Sequence, residues 1–197
     1  FFNVFEGDYT VNNHPPFNFL AENGFVSYFG RLTYDFSKRY YFTASLRRDG
    51  LSALAEGKKF GNFYGISGGW NLAEESFFKN LTQKVSTLKL RTSYGKVGNA
   101  GISDFASLSL YGFNVYGGTA ATLAFSQAGN PDLKWETSTK LDIGLNYGFL
   151  NDKITGELTY YKNNIDGLIL NSPLSPSMGV PGNSVAKNVG SMFNQGI

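Results

Sequence analysis

The chain has 197 residues, 17 basic against 15 acidic, and no cysteine. The near-even charge excludes the dense basic footprint of a nucleic-acid binder, and without cysteine there is neither a disulfide framework nor a thiolate metal site. With 24 Gly, 18 Phe and 12 Tyr the composition suits alternating strands with aromatic belts, and no run approaches the ~18 apolar residues of a membrane-spanning helix.

Residues 1–23, with Asn12, Asn13, His14, Pro15 and Pro16, show no sustained period and read as loop. A first hairpin follows. Val26, Tyr28, Gly30, Leu32, Tyr34 and Phe36 share one parity, a short turn falls at Ser37 and Lys38, and Tyr40, Phe42, Ala44 and Leu46 resume the alternation. After a polar segment, Tyr64, Ile66, Gly68, Trp70 and Leu72 share a face. Glu74, Glu75, Phe77, Phe78 and Leu81 then predict a short amphipathic helix, and Leu88, Leu90, Thr92 and Tyr94 oppose Lys89, Arg91 and Ser93 in the next strand. Residues 98–131 are hard to read, with two possible strands near Phe105–Phe113 and Thr119–Ser126 on either side of Gly117 and Gly118.

The clearest pattern runs from Leu133 to Tyr161. Leu141, Ile143, Leu145, Tyr147 and Phe149 alternate with Lys140, Asp142, Gly144, Asn146 and Gly148, and a polar turn at Asn151–Lys153 leads into a weaker return run. The first run alone extends about 50 Å at about 3.4 Å per residue, long for a soluble sheet and suited to a tilted strand that crosses a bilayer. Residues 171–187, rich in Pro and Gly, are predicted to be loop, and a last strand begins near 187.

The predicted strands are 25–36, 39–48, 62–72, 87–97, 133–149, 153–169 and 187 onward. Their connections alternate between short and long, as in an outer-membrane barrel with extracellular loops. The fold class expected is therefore all-β: an antiparallel transmembrane β-barrel segment of about seven spanning strands, fewer than the ~8 that begin to close a bacterial barrel. The opening FFNVFEGDY has neither an initiator methionine nor a signal peptide, and the chain reads as part of something longer.

The blocks SYFGRLTYDFSKRYYFTASLRRDG, FGNFYGISGGWNLAEESFF, LKLRTSYGKVGN, NPDLKWETSTKLDIGLNYGFLNDKITGELTYYKNNIDGLI and NVGSMFNQGI, in that order from Gly24 to Ile197, resemble the SusC/RagA family of TonB-linked outer-membrane transporters of Bacteroidetes. One departure is Leu51 in RRDGLSAL, where the family usually has serine. The resemblance implies that residues 1–197 are part of a barrel of about 22 strands with a plugged lumen. It also implies that the plug, the TonB box and the end of the barrel lie outside these residues. The implied partners are outer-membrane lipid, a SusD-like surface lipoprotein, TonB and an oligosaccharide or peptide substrate, with no cofactor, no nucleic acid and no enzymatic activity.

Lys89, Arg91, Lys140 and Asp142 fall on the polar parity and are the lumen-facing candidates; Arg47, Arg48 and Asp49 are candidates at the extracellular rim. Trp135 and Glu136 could form a sugar platform, but Trp135 follows the apolar parity and reads as an interface anchor. His14, the single histidine, lacks an identifiable triad partner, adjacent Glu74 and Glu75 make a poor acid/base pair, and the Asn80–Thr82 glycosylation triplet is read as chance. The alternative is a secreted soluble β-sandwich or carbohydrate-binding module, which needs two apolar sheets packed face to face. A barrel hydrolase is a third reading, weakened by the want of a triad.

Overall fold

The computed structural model describes residues 23–78, 84–118 and 120–197. His14 and the Asn80–Thr82 triplet lie outside the described residues.

One antiparallel sheet dominates, with seven strands in the order β1-β2-β3-β4-β7-β8-β11. They are β1 (Phe25–Phe36), β2 (Tyr40–Leu51), β3 (Phe60–Asn71), β4 (Val85–Asn99), β7 (Glu136–Phe149), β8 (Ile154–Asp166) and β11 (Ser191–Gly196). Two separate hairpins, β5 (Leu110–Tyr116) with β6 (Ala120–Gln127) and β9 (Ile169–Pro173) with β10 (Ser184–Asn188), rise from the loop side. The chain is thus an all-β barrel arc, open at both edges. No second sheet packs across it among the described residues, so the sandwich expectation is not met.

The period-two pattern gives the sheet two unlike faces. Register places Tyr40 beside Trp70, Trp70 beside Leu90, Leu90 beside Leu145 and Leu145 beside Leu158, an apolar row crossing five strands. One step toward the loops, Phe42, Gly68, Thr92, Ile143 and Tyr160 form the next row. Many of these side chains are uncovered: Leu32 is 63% exposed, Leu46 69% and Leu158 57%. This face is called outward below and the other inward.

The turn-side ends are tied down tightly. Ser37 and Lys38 both have left-handed φ (53° and 57°), and Arg39 N–H donates to the Phe36 carbonyl, as in a type I′ hairpin turn. Leu150, Asn151 and Asp152 are also left-handed. Their turn is held by a β-bulge at the start of β4, where the Ser86 and Thr87 hydroxyls donate to Asp152 Oδ1 (2.6 and 3.0 Å) and Asp152 N–H donates back to Ser86. A Cβ on Gly148 would lie 2.1 Å from that carboxylate oxygen, so the turn needs glycine there.

Two expectations are corrected. The predicted amphipathic helix at residues 73–85 is, over its described part, two 3-10 turns, Leu72–Glu74 and Ser76–Phe78. Too few residues separate the strand ends there for an α-helix to bury a face. The predicted loop at 171–187 contains the β9–β10 hairpin, whose Pro173 closes the end of its strand, a position where the missing N–H is tolerated.

The tightest packing lies in the loops. Leu54 and Leu133 are almost fully buried beside Ala106, with Leu51, Ala100, Ile102, Trp135, Ile169 and Ala186 around them.

Candidate functional site

Strand β4 organises the inward face. Arg91 lies over Gly144, where a Cβ would come within 2.6 Å of Nε, and reaches past β7 to β8. Its guanidinium donates to Asn146 Oδ1 at 3.2 Å and Thr159 Oγ1 at 2.7 Å and pairs with Glu157. Asn146 Nδ2 and Thr159 Oγ1 also donate to Glu157, closing a network across three strands. Lys89 leans the other way, beside Gly69, and sets its ammonium 4.5 Å from the Tyr41 ring centroid on β2. On each side a glycine in the neighbouring strand lets a long cation lie flat against the sheet.

Lys140 and Asp142 share this face. Ser93 donates to Asp142 Oδ2 at 3.4 Å, and Lys140 stands opposite Gly95. Beside them Thr43, Ser45, Gly65, Ser67 and Gly95 form a trough of small side chains. Lys89, Arg91, Lys140 and Asp142 are therefore co-facial. Sequence reasoning did not single out Tyr41, Asn146, Glu157 and Thr159, whose parity was visible but whose register across strands was not.

At the loop-side rim the three candidates separate. Arg47 Nε donates to buried Asp49 at 2.6 Å, and Ser27 donates to the same oxygen at 2.6 Å, all inward. Arg48 points outward, with Cζ 5.1 Å from the Phe60 ring centroid. Period two puts neighbours on opposite faces, so the trio cannot converge on one ligand.

Three loop connections are locked together around residues 130–135. Asn188 Oδ1 accepts from Lys134 N–H (2.9 Å), and Asn188 Nδ2 donates to the carbonyls of Lys134 and Gly167 (2.8 and 2.9 Å). Asn130 Nδ2 donates to the Ala186 carbonyl, and Ala55 N–H to the Leu133 carbonyl. A hydrogen bond from Lys58 holds the Asp132 carboxyl below the usual carboxylate range. Trp135 donates its indole N–H to the Lys59 carbonyl and meets Phe63 edge-on, 5.4 Å between centroids. Glu136 accepts from Asn99 and from Ile169 N–H. Both members of the notional sugar platform are thus occupied in joining loops.

At the opposite end, buried Glu75 accepts from the Tyr40 hydroxyl (2.6 Å) and the Trp70 indole (3.0 Å), with Arg39 at 3.7 Å. These two hydrogen bonds, in that order, hold its carboxyl below the usual range against the effect of burial. Among the described residues, no group of three or more His, Cys, Asp or Glu gathers in a way that could hold a metal.

Comparison with known proteins agrees with this architecture. The family model described as "TonB dependent receptor-like, beta-barrel" matches residues 2–197. TonB-dependent receptor SusC of Bacteroides thetaiotaomicron is 38% identical over 187 residues, covering 91% of this chain and 18% of that protein. TonB-dependent receptor P39 of Formosa agariphila is 33% identical over 200 residues, covering 98% of this chain and 19% of that protein. A solved structure of the RagAB peptide importer in its closed-closed state superposes with a TM-score of 0.82 at 31% identity, covering 89% of this chain and 19% of that one. The chain thus spans less than a fifth of the length of these relatives. It belongs to the TonB-dependent receptor-like β-barrel family.

Proposed function

We propose that residues 1–197 form part of the wall of an outer-membrane transporter that takes in oligosaccharides or peptides together with a SusD-like lipoprotein, energised through TonB. The observation that carries this reading is the uncovered apolar face of the long-stranded sheet. From Leu141 to Phe149 that face covers about 27 Å of strand, or about 21 Å of height at a tilt of about 40°, close to the ~25 Å apolar band of such barrels. Tyr34, Phe36, Tyr40 and Trp70 follow one another at 6.2–6.5 Å between centroids along its turn-side border, as an aromatic girdle would.

In this reading the outward face meets lipid. The inward face, with Lys89, Arg91, Lys140 and Asp142, lines the lumen or supports what fills it, and Arg47 and Asp49 brace the extracellular rim. The wall performs no chemistry: its polar groups satisfy one another across strands and leave a smooth surface past which a lumen element can move. Membership in a family of transporters supports a non-enzymatic role.

The test uses the full-length protein in its native membrane. A fluorophore at Ile143→Cys should be quenched by a brominated lipid and one at Ser93→Cys should not; equal quenching at both would overturn the two-faced wall. Uptake of a labelled oligosaccharide or peptide should stop when the proton gradient is dissipated, and uptake that persists would overturn TonB-linked import.

A further inference from the structure

Charge on the outward face is unevenly placed. The rows from Tyr34 to Tyr160 and from Phe36 to Leu158 hold none. Arg48, Lys96 and Lys162 stand at their loop-side border, with Lys134 just ahead of β7. Asp166 is the one outward carboxylate of the seven-stranded sheet among the described residues. The turn-side end differs: Lys38, Arg39, Lys84 and Lys153 are matched there by Asp35, Glu74, Glu75 and Asp152.

The basic side chains at the border also lack partners. The ion pairs of the described residues use Arg39, Arg47, Lys58, Lys59 and Arg91, and none uses Arg48, Lys96, Lys134 or Lys162. Lys96 and Lys134 line a recess of about 430 Å³ between the ends of β3, β4, β7 and β8, with Asn62, Thr137, Phe60 and Trp135. Asp166 lies at the same recess and forms no ion pair with either lysine. Lys58 also reaches it, with its ammonium committed to Asp132.

We propose that this recess binds the phosphate of an anionic lipid in the leaflet at the loop end. The proposal rests on reading the outward face as lipid-facing. The basic border is continuous with the apolar rows, so a ligand lying across both has acyl chains on the apolar side and negative charge on the other. Two ammonium groups without carboxylates, with an amide and a hydroxyl beside them, match phosphate oxygens, and Phe60 and Trp135 present ring surface at headgroup depth.

The test is native mass spectrometry of the full-length protein in uncharged detergent, titrated with phosphorylated lipid A, its dephosphorylated form and inorganic phosphate. The phosphorylated lipid should be retained, and Lys96→Gln with Lys134→Gln should weaken it about tenfold or more. The Lys96→Arg, Lys134→Arg pair should retain it, as should Lys89→Gln on the opposite face. Unchanged retention in the glutamine pair, equal binding of the dephosphorylated lipid, or displacement by inorganic phosphate at the lipid's own concentration would each overturn the proposal. Should the glutamine pair fail to assemble, Lys134→Gln alone decides, because that side chain is exposed and outside the strands. A quenched label at Ile143 with unchanged lipid binding overturns this proposal alone, whereas an unquenched label overturns the lipid-facing reading beneath it.

Discussion

Asn188 does more than any other single side chain to hold the loop side together, because it satisfies an N–H and two carbonyls that would otherwise lack partners. Asn188→Ala leaves all three unpaired at a cost of about 1–3 kcal/mol. The expected outcome is faster hydrogen exchange at the Lys134 amide while exchange in β4 and β7 is unchanged; unaltered protection at Lys134 would contradict the clamp. Gly129 is a steric counterpart. A Cβ there would fall 2.2 Å from the Leu108 carbonyl carbon, a backbone atom that cannot move aside as a side chain would. Gly129→Ala should therefore displace the base of the β5–β6 hairpin at about 1–3 kcal/mol, measurable as a loosened hairpin by limited proteolysis. Neither residue stands out in the sequence, because each acts through a neighbour that is distant along the chain.

Among the elements, those with long alternation were legible and those defined by contact were not. Residues 25–36 and 133–149 alternate without interruption, and the observed β1 and β7 follow them within a few residues. β9 and β10 escaped because five-residue strands flanked by Pro173, Pro176 and Pro181 carry too little periodicity to register against turn signals. The inward candidates were found by parity alone, but the Arg91–Glu157 pairing required the register of β4, β7 and β8, which no local pattern encodes. Ile143→Lys puts a charge in the middle of the apolar rows, at about 2–4 kcal/mol near a bilayer midplane. Its amount in the outer membrane, and its heat-dependent gel mobility, should fall relative to the parent, and undiminished levels would count against the assignment of faces. The connection after β3 supplies a prediction in pH. Because the Glu75 carboxyl is held below its ordinary value, its contribution is fully present above the unfolded value of about 4.5 and is lost as pH falls through the lower folded value. Exchange at the Glu75 and Phe78 amides, whose partners are the Leu72 and Glu75 carbonyls, should quicken over that acid range. In Glu75→Gln the pH dependence should disappear.

On the scale of the whole molecule, the sheet is an arc whose two edge strands, β1 and β11, each leave one side without a strand partner. An open edge of hydrogen-bonding groups is not a stable end for a membrane sheet, so the remaining strands of the longer relatives complete it. Hairpin neighbours pair along most of the arc, and the two longer closures, β4 with β7 and β8 with β11, are bridged by the β5–β6 and β9–β10 hairpins. Those two insertions share the buried cluster around Leu54 and Leu133 with the segment after β2. The loop side is consequently a folded layer in its own right.

That layer decides where the molecule tolerates foreign sequence. A peptide tag inserted between Ala53 and Lys58 would have to part Ala55 from Leu133 and Lys58 from Asp132, so surface display of the protein should collapse. The tip of the β5–β6 hairpin is different: Gly117 and Gly118 take left-handed φ of 62° and 83°, and a Cβ on either would meet nothing within 4 Å. The same tag placed there should be read by antibody on intact cells, with the barrel beneath it unchanged.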